Sequence, residues 1–432
     1  MFTQIVLNEY QSKRERVSPP THADVQLAEQ LSSEVLEPKI IIRWLSTGEI
    51  DISATSWVGV IRFSHVDVHV VPKLVGGQLG VLRMLQYAAG IELIRRLPSE
   101  RPLAAVKTNL LDLTALFLAE ATKTLIQDGL LRDYRPVDDS LTALRGRLNL
   151  RDQYLRRFGQ LHQLECNFDE YDGDVPDNQL VAAALQVACR RVHEPDVRAA
   201  ALRQAAIISE VCEPPTRDAD WYEKKIVYGR RNARYRSVHE LSKLILRGFA
   251  FEDLYDTSAG HVNAFMFDMN LVFERFVTRL IQNALDGTDL WASAQPRLRA
   301  VIRNDETGRT YSTVKPDLVI EEATTGHAVP VDIKYKLYAD KKLSTSDIYQ
   351  LFFYAYAHGT DHLPRRAGVI YPTASTVSGP CLSIKPIVGP TAAWIAGAGL
   401  DVPSALDAID RHEINTLHAE VRDIVSSLTA FA

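Results

Sequence analysis

The pattern of apolar and polar positions changes period along the chain. Up to about residue 100 the apolar residues come in short β-branched runs, KIIIRWL, WVGVIRF and VDVHVVPKL. In the third run Val66, Val68 and Val70 alternate with Asp67 and His69, which predicts a strand with the valines on a core face and Asp67 and His69 toward solvent. From about 101 to 240 the period becomes helical. Leu113, Phe117, Ala121 and Leu125 form a stripe that stops at Gly129, and Asp177 stands where it would cap NQLVAAALQVACRRV. Farther on, FMFDMNLVFERFVTRLIQNAL has apolar residues at Met269, Val272, Phe273, Phe276, Leu280 and Ile281, a helix that buries one face and leaves Glu274 beside it. DLVI and PVDIKY then read as two strands joined through EEATTGHA. SDIYQLFFYAYAH reads as a helix starting near Ser346, with Gln350 and Tyr354 on one side at i and i+4. A tail rich in Gly and Ala, TAAWIAGAGLDVPSALDAI, leads to a closing helix, EINTLHAEVRDIVSSL. The expectation is a multidomain α/β and α+β protein with a β-rich N-terminal domain (1–100), a helical middle region (101–240) and a C-terminal domain (241–432) built on a mixed sheet flanked by helices.

Charged residues inside the two strand segments raise a chemical question. Side chains on a strand alternate faces, so Asp332 and Lys334 share one face and Ile333 takes the other. A hairpin with an even-residue turn, centred at Thr324/Thr325 or at Thr325/Gly326, brings Asp317 to that same face, and a slip of one residue removes it. Two carboxylates about 4 Å apart repel by roughly 4 kcal/mol at an effective dielectric near 20, and a bound divalent cation reverses the sign. A metal site accounts for the pattern. So does a surface hairpin in which Asp317 caps a turn and Asp332 pairs with Lys334 across solvent, worth at most about 1 kcal/mol.

The order of parts narrows the choice. A helix with Glu274, a strand entered by Pro316-Asp317, a strand with Asp332-x-Lys334, and a helix with Gln350 and Tyr354 together resemble the PD-(D/E)xK nuclease core, including the Gln-x-x-x-Tyr element of its RecB-like branch. FMFDMNLVFERFV, VKPDLVI, VDIKYK, DIYQLFFYAYA and VIYP resemble the McrC family, the nuclease subunits of McrBC modification-dependent restriction systems. WVGVIRF with VHVVPKL, LRGRL, and FDEYDGDVPDNQLVAAAL extend the resemblance from about Trp57 to Pro372. It implies a restriction-endonuclease-like C-terminal sheet and a Mg²⁺-dependent endodeoxyribonuclease, with Mn²⁺ as the alternative ion. Asp317, Asp332 and the backbone carbonyl of Ile333 would hold the metal, and Glu274 would join directly or through water. Lys334 would orient or help deprotonate the attacking water, with Lys336 as a lower-ranked substitute. Gln350 and Tyr354 would position the DNA backbone or Lys334. The implied partners are a hexameric McrB-like AAA+ nucleotidase, a GTPase or ATPase, and double-stranded, modified DNA. The N-terminal domain would dock to that ring and stimulate it.

Composition bounds these expectations. The chain has 432 residues, of which 46% are hydrophobic and 24% charged, and no apolar run of about 18 or more residues that would span a membrane. Its first residues lack the apolar core of a signal peptide, so a cytoplasmic location is expected. Cys166, Cys189, Cys212 and Cys381 are too far apart for a close-spaced zinc pattern or for the iron-sulfur cluster of some RecB-like nucleases, and are expected to be buried free thiols. The net charge of −5, from 49 basic and 54 acidic residues, points to a partner that supplies much of the DNA grip. LRGRLNLRDQYLRR and YGRRNARYR are local basic runs expected on solvated faces. The acids Asp169, Glu170, Asp172 and Asp174 miss calcium-loop spacing, and HEPDV and HEINT lack the second histidine of a zincin helix. No phosphate-binding loop is present, so nucleotide hydrolysis belongs to another chain. A stand-alone RecB-like nuclease and a non-catalytic regulator of an AAA+ partner are the competing readings.

Overall fold

A computed structural model describes residues 3–32, 38–73, 75–89, 109–160, 162–248, 263–296, 298–336, 338, 342–359, 364–373 and 377–429. The chain divides into two compact units. Unit 1 joins Met1–Glu92 to Met266–Ala432, and unit 2 is Leu93–Phe265. Unit 2 thus begins close to the expected boundary at 100 and runs past the expected boundary at 240 to Phe265. The first and last segments, expected as separate domains, share one unit.

Unit 1 begins with β1 (Thr3–Asn8), β2 (Ser12–Arg16), α1 (His22–Leu31), β3 (Ile40–Trp44), β4 (Glu49–Ala54), β5 (Trp57–Arg62), β6 (Val66–Val71) and α2 (Gly77–Ala89). β1 runs parallel to β6, with Thr3 opposite Val66, and β5 pairs antiparallel with β6. Val66, Val68 and Val70 are buried as the alternation predicts, but His69 is also buried, at 8% exposure, with Gln4 Nε2 3.2 Å from its Nε2. The solvent-face expectation for His69 therefore fails. Asp67 lies 3.8 Å from Arg62, itself buried.

Unit 2 holds α3 (Leu110–Gln127), β7 (Asp133–Leu141), β8 (Arg147–Leu148), α4 (Leu150–Arg157), β9 (Leu164–Asp172), α5 (Pro176–Arg191), α6 (Pro195–Ser209), α7 (Ala219–Lys225) and α8 (Arg236–Gly248). Helices α3, α6, α5 and α8 pack in a ring, with α3 also meeting α5 across it. Leu113, Phe117 and Leu125 of the predicted stripe are buried, and Gly129 takes a left-handed φ of 89° after the helix. Asp177 does not cap α5. The N-cap is Val175, and Asp177 is the second helical residue, buried in the first turn and accepting a 2.9 Å bond from Asn232. The acids near 170 lie on or just after β9, where Asp172 and Asp174 pair with Arg135 and Glu170 with Arg145. Cys166, Cys189 and Cys212 are buried free thiols as expected, whereas Cys381 of unit 1 is exposed.

The chain re-enters unit 1 within β10 (Asn263–Asp268), which lies beside β5 in the order β1-β6-β5-β10. It continues through α9 (Met269–Leu285), β11 (Leu290–Ala294), β12 (Leu298–Arg303), β13 (Thr310–Val314), β14 (Leu318–Glu322), β15 (Ala328–Ile333), α10 (Thr345–His358), β16 (Arg366–Thr373), β17 (Val377–Ile384), β18 (Ala393–Asp401), α11 (Val402–Asp410) and α12 (Ile414–Thr429). The main sheet, in the order β11-β14-β15-β16-β18-β17, is mixed, with β15, β16 and β18 parallel. Period-2 alternation in β16 sets its two covers. Ala367, Val369 and Tyr371 pack with Leu351 and Ala355 of α10, and Gly368 meets Leu428 of α12 on the other side. The Gly/Ala-rich stretch expected as a tail is β18, a strand of this sheet. Its small residues permit close packing: a Cβ on Gly397 would lie 3.0 Å from Pro380 and 3.4 Å from the Tyr371 ring.

Candidate active site

The β14–β15 hairpin sets the first geometry. Leu318 stands opposite Val331 and Glu321 opposite Ala328, so the turn is centred at Thr324/Thr325, one of the two expected registers. Continued by one residue, that register sets Asp317 opposite Asp332. Asp332 in turn pairs with Val369 across β16, which places it on the α10 side of the sheet. Asp332 is 1% exposed. Asp317 Oδ2 accepts a 2.7 Å bond from the Ile333 N–H, and the Asp317 carbonyl accepts one of 2.8 Å from Gln295 N–H, so this residue is fixed through both side chain and backbone. Burial, and then the Asp332 carboxylate, push the Asp317 carboxyl up to about 7 against the opposing bond from Ile333.

Lys334 supplies the counter-charge. Its N–H bonds the Ile370 carbonyl at 2.9 Å, extending the β15–β16 ladder past Ile333. Its Nζ lies 2.9 Å from Asp332 Oδ2, a charge contact without aligned hydrogen-bond geometry. Burial works against the ammonium, but Asp332, Asp317 and Asp347 outweigh it and hold its pKa above the usual lysine range. Lys334 is therefore held as a cation beside Asp332 at neutral pH. Lys336 is committed elsewhere, 2.9 Å from Asp347.

Glu274 lies on the edge of α9, where its Oε1 accepts a 2.5 Å bond from Gln295 Nε2. Among the described residues no three His, Cys, Asp or Glu side chains gather closely enough to hold a metal ion, and the Glu274 charge adds to the rise in the Asp317 pKa. On α10, Gln350 Nε2 donates to Tyr354 OH at 2.8 Å, and that hydroxyl donates to the Lys315 carbonyl at 3.2 Å, two residues before Asp317. Burial raises the Tyr354 pKa against the Gln350 bond, with Asp332 and Asp317 adding to the rise, so the hydroxyl stays protonated. The helix cap is Ser344, not Ser346: Ser344 Oγ accepts from Asp347 N–H at 3.2 Å and contacts the Asp347 carboxylate at 2.5 Å.

Two features have no short-motif signal. Gln295, at a φ of 45°, joins the Glu274 carboxylate to the Asp317 backbone. The residue after Lys334, Tyr335, is fully buried and donates from its hydroxyl to Glu9 Oε1 at 2.7 Å, while Tyr10 OH donates to the Tyr335 carbonyl at 3.2 Å. Tyr335 also meets Phe273 of α9 at 5.7 Å between ring centroids. The end of β1 thus helps to fix the backbone beside Lys334.

A chain of the refined half-complex from the tetradecameric assembly of Thermococcus gammatolerans McrB AAA+ hexamers with bound McrC is similar in fold. It is 19% identical over 98% of this chain and 100% of that chain, with a TM-score of 0.63. A chain of the cryo-EM structure of the Thermococcus gammatolerans McrBC complex is 22% identical over 65% of this chain and 88% of that chain, with a TM-score of 0.46. No curated protein matches the chain. The profile of the McrBC 5-methylcytosine restriction system component matches residues 52–372, from β4 through both strands of the aspartate hairpin to β16, and the chain belongs to that family.

Proposed function

We propose that this chain is the Mg²⁺-dependent DNA endonuclease subunit of a McrBC-type restriction system, acting with an AAA+ nucleotidase of the McrB kind on DNA that carries 5-methylcytosine. The observation that carries the reading is the buried Asp332 with the half-buried Asp317 opposite it and Lys334 against it at one end of the sheet. A solvent-exposed turn would keep an aspartate near its ordinary pKa, whereas Asp317 is pushed to about 7 by burial and by its neighbour.

The donor set fits a hard divalent cation. Asp317, Asp332 and the Ile333 carbonyl offer oxygen ligands, and Mg²⁺ commonly takes one or two carboxylates and fills its shell with water and phosphate oxygens. Bound there, such a cation would supply positive charge to the scissile phosphate and lower the pKa of an attacking water. The protein side chains do the rest. Lys334, held as a cation, orients the water and balances charge on the phosphate. Gln295 fixes Glu274 and the Asp317 backbone, and Glu274 joins the cation directly or through water. Gln350 and Tyr354 brace the segment that leads into Asp317.

Docking to the partner is assigned to unit 2. Helix α4 buries none of its residues, and Leu150, Tyr154, Leu155 and Phe158 at its outer stripe are 67–75% exposed. An apolar stripe with nothing against it marks an interaction surface, and the neighbouring Leu144 on the β7–β9–β8 side is also exposed. The N-terminal strands, by contrast, share unit 1 with the candidate catalytic residues. Incubating the chain with its AAA+ partner, nucleotide, Mg²⁺ and a methylated plasmid tests the assignment. Cleavage that needs all four components is expected, and cleavage by the chain alone without nucleotide would overturn the subunit reading.

A further inference from the structure

Helix α10 presents Gln350 and Tyr354 to the candidate site and buries Leu351, Tyr354 and Ala355. Its outer face is unusual for a surface helix. Tyr349, Phe353 and Tyr356, at i, i+4 and i+7, are 69%, 37% and 55% exposed. The helix contains no lysine or arginine, and its one carboxylate, Asp347, is buried. A face that meets only water normally carries charged residues, and three aligned aromatic rings are an unmet apolar surface. Beyond the helix, the Arg365 guanidinium lies 4.4 Å from the Tyr356 ring centroid and extends the stripe with a stacked cation.

We propose that this stripe is a stacking platform for unpaired bases of the DNA strand being cut, so that the nuclease acts on locally opened DNA. The identity of the ligand rests on the nuclease reading above. Three observations favour a nucleic-acid strand. The stripe lies one residue round the helix from Gln350 and Tyr354, and Tyr354 is tied to Lys315, two residues before Asp317. It exposes no carboxylate that would repel phosphates. Aromatic rings with an adjacent arginine are the sequence-tolerant chemistry that holds single strands, which suits a chain whose net charge of −5 provides little bulk attraction for DNA.

The test uses the full-length chain in chelator, so that binding is read without cleavage, with a single-stranded oligonucleotide carrying 2-aminopurine and a fully paired duplex of the same sequence. Tyr349→Ala and Tyr356→Ala are each expected to weaken single-strand binding by about five- to a hundredfold, the range for loss of one stacked base, and to reduce the fluorescence quenching of the probe. Duplex binding is expected to change by less than about twofold, and Tyr349→Phe, which keeps the ring, to restore single-strand affinity. Unchanged single-strand affinity, or an equal loss for duplex, would overturn the proposal. So would an altered sedimentation coefficient with unaltered DNA binding, which would make the stripe a protein contact. A chain that binds unpaired DNA through the stripe yet never cuts with its partner would sink the nuclease reading alone.

Discussion

Replacing Asp317 by asparagine separates a metal site from a structural ion pair, because the two assign opposite signs to the change. The Asp317 carboxyl is pushed up to about 7, first by burial and then by Asp332. In the unfolded chain its pKa is near about 3.9. The native state therefore binds this proton more tightly than the unfolded state, and in the absence of a divalent cation stability is lost as pH rises from about 4 through about 7. A displacement of about 3 units corresponds to roughly 4 kcal/mol, and partial solvation of Asp317 reduces this to roughly 2–4 kcal/mol. Asparagine keeps an oxygen for the Ile333 N–H and removes the charge. In chelator at about pH 8 the Asp317→Asn protein should be more stable than the wild type, and at about 2 °C per kcal/mol for a unit of this size its melting temperature should rise by roughly 4–8 °C. At about pH 5, roughly one unit above the unfolded-state pKa, the gain should shrink to about a third. Added Mg²⁺ should raise the wild-type melting temperature and leave the variant nearly unmoved. Differential scanning calorimetry at both pH values, with chelator and then with Mg²⁺, reads all three effects. A variant that melts below the wild type in chelator at about pH 8 would refute the reasoning.

Other outcomes follow from the same geometry. Lys334→Met leaves Asp332 buried without its counter-charge and should cost roughly 1–3 kcal/mol in urea melts near neutral pH, the lower part of the range because the Lys334 side chain is 24% exposed; no change would show the ion pair to be incidental. Deleting residues 1–100 removes β1, β5 and β6 from the sheet that holds β10, and Glu9 from Tyr335, so the remaining chain should lose its cooperative melt; a folded fragment would contradict the unit division. Tyr154→Ala combined with Phe158→Ala removes two exposed rings that contact each other at 5.1 Å. This variant should keep the wild-type melting temperature and lose stimulation of the partner's nucleotide hydrolysis, and normal stimulation would move the docking surface elsewhere.

The parts legible in the sequence were those set by local periodicity. Strict alternation and an even-residue turn narrowed the β14–β15 register to two choices, both of which put Asp317 and Asp332 on a shared face, and the structure takes the one centred at Thr324/Thr325. The stripe of α9 gave the place of Glu274. Features decided by long-range packing were not legible. His69 alternates as a solvent-side residue, yet both faces of β6 are covered. Strand β18 has the composition of a flexible tail because Gly397 must clear Pro380 and Tyr371, which come from two other strands. Ser344 and Ser346 are equivalent as caps by residue type, and only the reach to Asp347, three residues after Ser344, selects one. Gln295 acquires its role because α9 and the start of β14 meet at its two ends, and no spacing in the chain announces that meeting.

The most direct measurement is single-turnover cleavage of methylated DNA by the complex of this chain with its AAA+ partner, comparing wild type with Asp332→Ala while nucleotide hydrolysis is followed in the same tubes. The account predicts that Asp332→Ala abolishes cleavage at every Mg²⁺ concentration and leaves stimulated hydrolysis at the wild-type rate. Cleavage by the Asp332→Ala complex at the wild-type rate would contradict it.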